Sequence, residues 1–513
     1  MSYKAKVGWG EYHTYSDHYG ILYIYSKDNG DFDSFTIKTD DDQTFEGNHI
    51  SQLLKVLDEL TADFESRSDK ARDLMLIFVK DLNQVRAYIP YDKDFDRRIL
   101  SGHIEFRCWE DWAKKDFEAA LDNWNKIFID NKYPYLTPSQ MPRKQMQAAL
   151  KDVPTDKIYP SLNQLPLVAK SVHGGICYAR DQDIHYDMLG FDLVSAYIYG
   201  IAFKKHACEA PQYCDPNKWE CYINAEDYGT IGRYTITYTS VFSAISCFKD
   251  INGKSLKTGT HTVDIALCNV DLRTLFSIPK LQVHEVKCES LLIFKLDYLP
   301  KDIRDYCIDL FIQKRNAPKD SEERKRIKQV LNAGLFGNFL HSMNVILEAP
   351  TRERNDVYKK QNKKLCPQWG IFTMAYVKNI VFGIGLEAVE WVYSDTDSVY
   401  CKNDTFNIQL FIDYNNNLYK QNKKLCTYFG YPDEAAELGT FEFDDPIVRF
   451  KSYKRKQYWY ETKSGKVTVK AAGCNKEQFE DISADTVFKE GWVPDFRDGR
   501  HTTIWSKGKY CVV

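Results

Sequence analysis

The side chains best suited to chemistry are Asp395 and Asp397, two carboxylates separated by one residue in Tyr393-Ser394-Asp395-Thr396-Asp397-Ser398-Val399-Tyr400. Apolar runs on either side predict a strand, a tight turn and a second strand. Alternation along a strand puts Asp395 and Asp397 on one face, and a turn lets both reach the same pair of cations. Such a pair offers hard oxygen ligands to a divalent ion. Alone, Asp-Thr-Asp-Ser is also an ordinary hydrophilic turn, so two further segments matter. In Phe191-Asp192-Leu193-Val194-Ser195-Ala196-Tyr197 an acid ends an apolar strand and a short helix follows. In Lys325-Arg326-Ile327-Lys328-Gln329-Val330-Leu331-Asn332-Ala333-Gly334-Leu335-Phe336-Gly337 a basic helix leads to an aromatic residue and a glycine.

Taken in this order, the three segments resemble the polymerase motifs of family B DNA polymerases. The resemblance implies an α+β, right-hand polymerase of palm, fingers and thumb, preceded by an RNase H-like exonuclease-type domain. It implies DNA-directed nucleotidyl transfer with two Mg²⁺ ions, for which Mn²⁺ is a substitute. Asp192 and Asp397 would hold both metals, with Leu193 beside them, and Asp395 would complete or support the catalytic set. Lys328 would contact the triphosphate of the incoming dNTP, with Lys325 three residues earlier and Lys314 also in reach. Tyr197 would lie under the sugar and exclude a 2′-hydroxyl, next to Ser195 and Ala196, and Phe336 would be its companion beside the nascent base pair. The family places three steps between its asparagine and aromatic. Asn332 to Phe336 is four, so either the helix carries a one-residue bulge or Asn332 is not the equivalent residue.

The segment Phe450-Lys451-Ser452-Tyr453-Lys454-Arg455-Lys456-Gln457-Tyr458-Trp459-Tyr460 mixes cations and aromatics, a composition that grips phosphates and stacks on sugars and bases. It resembles the family's Lys-x-Tyr motif at the primer terminus, with Lys456 and Tyr458 in the two roles and Thr396 and Ser398 alongside. Val172-His173-Gly174-Gly175 resembles the Tyr-x-Gly-Gly loop of the protein-primed branch, with Gly174 and Gly175 near DNA, valine in place of tyrosine and Tyr178 as a substitute. The same branch inserts a segment after the first motif that receives a terminal protein, and Cys268-Asn269-Val270-Asp271-Leu272 fits its pattern. Residues 341–368 would supply a second insertion, a β-hairpin for strand displacement. The run Lys360-Gln361-Asn362-Lys363-Lys364-Leu365-Cys366 recurs at Lys420–Cys426, either a chance echo or a basic DNA-facing patch.

The first third resembles the family only in outline. Val7-Gly8-Trp9-Gly10-Glu11-Tyr12 lacks the opening Asp-x-Glu. Asp63-Phe64-Glu65 spells that motif but follows a helix-like run. Arg86 stands where an acid belongs after the strand Leu74–Val79, and only Trp112-Ala113-Lys114-Lys115-Asp116 echoes the third nuclease motif. One carboxylate does not assemble a two-metal site, so loss of proofreading is expected unless Asp81 or Glu11 restores it.

The expected organisation is a degenerate exonuclease-like domain over 1–165, palm over 166–200, a terminal-protein-binding insertion over 201–300 and fingers over 301–345. The inserted hairpin follows at 346–370, the second part of the palm with its catalytic hairpin at 371–460, and the thumb at 461–513. The 513 residues suffice for several domains. A net charge of −3 requires that basic patches near 324–328 and 451–456, not the whole surface, face nucleic acid. The 14 cysteines include no Cys-x-x-Cys, which points to free thiols in a reducing cytoplasm, the host's if the gene is phage-borne. Apolar runs read as too short for a membrane span. Expected partners are primer-template DNA, dNTPs and a terminal protein, for a monomeric enzyme. Two alternatives stay open: a polymerase that extends nucleic-acid primers or starts unprimed, and a catalytically silent polymerase-like DNA-binding protein.

Overall fold

The computed structural model describes residues 3–7, 11–27, 32–39, 43–67, 73–79, 99–100, 104–108, 157–319, 321–331, 339, 366–387, 390–472, 479, 482–494, 503–506 and 509–512. The chain divides into two compact units, Met1–Pro142 with Lys314–Val330, and Arg143–Gln313 with Leu331–Val513.

The first unit is built on a seven-stranded mixed sheet of β1 (Tyr3–Val7), β2 (Glu11–Ser26), β3 (Phe32–Thr39), β4 (Thr44–Gly47), β5 (Asp73–Val79), β6 (Ile99–Leu100) and β7 (Ile104–Cys108). Strand β5 runs parallel to both β2 and β7. Helix α1 (Ile50–Arg67) turns Leu53, Leu57 and Leu60 toward Leu22, Ile24, Phe35, Ile37, Ile77 and Val79. Their spacing of four and three residues makes one apolar helical stripe. Asp63 and Glu65 lie on α1, the helical setting that their sequence context predicts. Arg86, Asp81 and Trp112–Asp116 lie outside the described residues.

The second unit carries two sheets. The larger has eight strands in the order β20 (Val467–Ala471), β19 (Gln457–Thr462), β18 (Ile447–Lys454), β9 (Ile184–Leu193), β16 (Ser398–Lys402), β15 (Trp391–Thr396) and β8 (Ile176–Ala179), with β17 (Phe441–Phe443) also on β9. Sequence neighbours are therefore not spatial neighbours: β9 lies between β16 and β18, more than 200 residues later. The smaller sheet joins β10 (Lys205–Ala207), β11 (Gln212–Cys214), β12 (Tyr228–Ser240), β13 (Gly259–Cys268) and β14 (Leu281–Tyr298). Along β12 the buried Tyr234, Ile236 and Tyr238 alternate with Thr235, Thr237 and Thr239, the period of a strand with one covered face. A division between residues 460 and 461 falls inside β19, which pairs with β18 on one side and β20 on the other.

Helices α2 (Leu165–Lys170), α3 (Ala196–Phe203), α4 (Asn269–Phe276) and α5 (Lys301–Asn316) follow in chain order, and α6 (Glu322–Gln329) belongs to the segment that clusters with the first unit. Next come α7 (Pro367–Glu387) and α8 (Ile408–Phe429). The expectation that no segment is long enough to cross a membrane has one exception by length and composition, Pro367–Leu386 of α7. Of that window 72% is buried, and it carries the fully buried Lys378, whose ammonium lies 2.8 and 2.9 Å from the two carboxylate oxygens of Asp271 on α4. An ion pair to a neighbouring element marks α7 as the central helix of a protein core. The repeat Lys420–Cys426 lies on α8, where Asn422 is buried and donates to the carbonyls of Ala436 and Leu438. Cys426 of this copy is buried as well, and residues 360–365 of the first copy lie outside the described residues. Eleven cysteines, from Cys177 to Cys426, are free thiols.

Candidate active site

Asp192 is the penultimate residue of β9 and pairs with Ser398, the first residue of β16. Asp395 sits on β15 opposite Cys177 of β8. Strand alternation does not bring the two later acids together as the sequence predicts, because Asp397 is not on a strand. It occupies the turn between β15 and β16, and its amide donates to the Asp395 carbonyl at 2.8 Å, the i to i+2 bond of a γ-turn. The central residue, Thr396, takes φ of 66°, costly for a β-branched side chain. The serines clamp this turn: Ser394 Oγ donates to the Ser398 carbonyl at 2.6 Å, and the Asp395 amide donates to Ser398 Oγ at 3.2 Å. The turn is joined to the first motif where the Leu193 amide donates to the Asp397 carbonyl at 3.0 Å.

Ser195 precedes α3 with φ of 47°, and Ala196 and Tyr197 open that helix. Tyr197 is close enough to both later acids that burial, and then the charges of Asp397 and Asp395, raise its phenol well above its ordinary range. Lys456 forms the turn between β18 and β19 with φ of 60°, and its ammonium lies 3.2 Å from Asp395 Oδ1. The same oxygen accepts from Thr396 Oγ1 at 3.1 Å and from Cys177 Sγ at 3.7 Å. The Lys456 amide donates to the Tyr393 hydroxyl at 2.8 Å, and the Tyr393 ring packs 4.5 Å from that of Tyr458. Burial raises the Tyr458 phenol, and the charges of Asp192 and Asp395 add to the shift. Among the described residues, four non-glycines have positive φ, and three of them, Ser195, Thr396 and Lys456, belong to this constellation. Residues held in such conformations cluster at functional sites because the surrounding structure must enforce them.

Gly175 completes the floor. A Cβ there would stand 2.7 Å from Thr396 Cγ2, so only glycine lets β8 begin against the turn, whereas Gly174 has open space around it. Tyr178 does not take the place of the missing loop tyrosine, because its ring is buried against Phe242 and Trp391. Sequence reading missed Cys177 and Tyr393; only strand pairing brings the one to Asp395 and the other to the Lys456 amide.

The nucleotide-side residues are placed in part. Lys328 is exposed on α6, where Ile327 is fully buried, and Lys325 lies one turn earlier on the same helix. Lys314 lies in the last turn of α5, and its carbonyl accepts from the Arg324 guanidinium at 2.8 Å. Val330 and Leu331 continue α6 as a π-helical turn. Asn332, Phe336 and the segment 341–365 lie outside the described residues.

Asp192, Asp395 and Asp397 supply only oxygen donors, which fits Mg²⁺ or Mn²⁺ and not a soft metal. Among the described residues, no group of three or more histidine, cysteine or acidic side chains is assembled as a metal cage. Mg²⁺ does not require one, being held by one or two carboxylates together with substrate phosphates.

No family model and no curated sequence matches the chain. Solved structures do. Phi29 DNA polymerase complexed with primer-template DNA, in the post-translocation binary complex, matches over 91% of this chain and 94% of its own, with 15% identity and a TM-score of 0.63. Its ternary complex with primer-template DNA and incoming nucleotide substrates matches over the same shares with 15% identity and a TM-score of 0.62. Its complex with single-stranded DNA gives 13% identity and 0.62. With its carboxylate turn closed onto the end of β9 and its strands and helices in this arrangement, the chain has the fold of phi29 DNA polymerase, a protein-primed DNA polymerase of family B.

Proposed function

We propose that this protein is a DNA-directed DNA polymerase that extends a primer by two-metal nucleotidyl transfer, with Asp192 and Asp397 as the metal-holding carboxylates and Asp395 as their support. The observation that carries this reading is the convergence of the first motif and the Asp-Thr-Asp turn at one end of one sheet, linked by the Leu193 to Asp397 hydrogen bond. Metal ions bound there supply a lowered pKa for the primer 3′-hydroxyl and neutralise charge on the triphosphate. Lys456 would bring a cation to the primer terminus, Tyr197 would lie beneath the sugar, and Lys328 would hold the triphosphate.

In this reading the eight-stranded sheet is the palm, running on into the thumb, and α5 and α6 belong to the fingers. The β10–β14 sheet is the insertion that receives a terminal protein, and the first unit is an exonuclease-like domain without proofreading. Priming by a terminal protein is favoured by the resemblance of Val172–Gly175 to the loop of the protein-primed branch, whose Gly175 here packs on Thr396.

A 5′-labelled primer on a longer template, incubated with Mg²⁺ with and without dNTPs, tests the assignment. Extension with dNTPs and an intact primer without them is expected, and Asp397→Ala should abolish extension while retaining DNA binding. Full activity in that variant overturns the metal assignment, and primer loss without dNTPs overturns the loss of proofreading.

A further inference from the structure

His173 is buried, at 3% exposure, and both its ring nitrogens are used. Nε2 lies 2.7 Å from the Ala266 carbonyl of β13, and Nδ1 lies 3.2 Å from the Lys249 amide. A carbonyl only accepts and an amide N–H only donates, so the ring is fixed as the neutral tautomer with its proton on Nε2. The ring also meets Phe248 edge-on at 5.7 Å. Burial, reinforced by the nearby Lys378 ammonium, pulls its pKa down to about 3, so neither hydrogen bond is lost to protonation near neutral pH. His173 thereby ties the start of β8 to a strand and a turn that come more than 70 residues later.

The chain leaves this anchor through Gly174, where a Cβ would meet open space, and the next residue is Gly175, packed on Thr396. Ile176 and Cys177 then pair with Thr396 and Asp395. Three residues thus separate a rigid anchor from the strand position facing Asp395.

We propose that His173 is a positioning residue for the carboxylate turn: by fixing the direction in which Gly174-Gly175 enters β8, it seats Gly175 against Thr396 and holds Asp395 and Asp397 in register with Asp192. This inference rests on the polymerase reading of the site. It assigns His173 no contact with substrate, so its loss should act on turnover and leave nucleotide binding alone.

Two variants separate this role from simple stability. His173→Leu retains bulk and removes both hydrogen bonds, and His173→Gln retains one acceptor and one donor. In primer extension by the full chain, His173→Leu is expected to lower kcat at least tenfold with KM for dNTP unchanged within twofold, and His173→Gln to recover most of the loss. Hydrogen exchange of the peptide covering 391–400 should quicken at least tenfold in His173→Leu, while the 457–471 hairpin stays as in the parent. If the leucine variant does not fold, His173→Asn, too short to span both partners, serves in its place.

Parental kcat, or parental exchange over 391–400, in a folded variant overturns the inference. So does a loss in which KM rises and kcat holds. A parent chain that fails to extend primers sinks the polymerase reading instead, and the exchange comparison then still decides the role of His173.

Discussion

The ammonium of Lys456 lies 3.2 Å from Oδ1 of Asp395, although 61 positions separate the two in sequence. Partial burial works against that ammonium, but Asp395, Cys177 and Asp397 together outweigh it and raise its pKa, so the side chain is a fixed cation at neutral pH. The pair is half open to solvent, and such pairs contribute little to stability.

Lys456→Ala should therefore reduce primer extension at least tenfold while moving the urea midpoint by no more than about 0.5 kcal/mol equivalent. Alanine at φ of 60° carries the same backbone cost as lysine, so the comparison isolates the charge. Parental extension rates would remove Lys456 from the site.

Gly175→Ala forces a Cβ to 2.7 Å from Thr396 Cγ2 and 3.1 Å from Thr396 Cα. Relief requires the turn to move, at a cost of about 1–3 kcal/mol, with extension falling alongside. Adding Thr396→Gly removes the clashing methyl and suits the positive φ, so the double variant should recover stability in thermal melts. A single variant as stable as the parent would show that the turn does not rest on Gly175.

Lys378 and Asp271 form an ion pair at 0% and 1% exposure, and burial pushes the Asp271 carboxyl up while Lys378 opposes it. Lys378→Met strands a buried carboxylate and should cost about 3–5 kcal/mol. Lys378→Met with Asp271→Leu removes both charges and should regain most of that loss. Equal destabilisation in the single and double variants, read from urea midpoints, would show that packing and not charge pairing fixes α4 against α7.

His206 is fully buried; its Nδ1 donates to the Lys204 carbonyl and its Nε2 accepts from Thr373, each at 2.9 Å. Burial lowers its pKa to about 4, and that of His173 to about 3. Depressed folded values mean that both rings are neutral in the fold while an unfolded chain protonates near 6.5. The stability they give is complete above pH 6.5 and is lost as pH falls from there toward about 4 for His206 and about 3 for His173, by about 1.4 kcal/mol per pH unit for each ring. His206→Gln should remove about half of that slope in urea midpoints followed by tryptophan fluorescence. An unchanged slope would place the acid sensitivity elsewhere.

The elements around the site follow from local pattern. Apolar runs broken by single acids predicted β9, β15 and β16, and the Lys-Arg-Ile-Lys segment predicted the helix that carries Lys328, because strand and helix periods are properties of neighbouring residues. Asp192, Asp395 and Asp397 were legible as a candidate set because the segments that carry them resemble, in their order, the motifs of family B polymerases.

Only the tertiary structure decided how that set is held. Asp397 leaves the strand where Thr396 takes a positive φ, and the turn packs against Gly175 and pairs with β8, which lie some 220 positions earlier. Cys177, Tyr393 and His173 carry no local signal, since each acquires its role through pairing across long chain separations. Strand order, too, stayed hidden: the hydrophobic period reveals that a strand has a covered face, but not which strands lie beside it. A sequence records which side chains a segment offers, whereas strain and long-range hydrogen bonds exist only between segments already brought together.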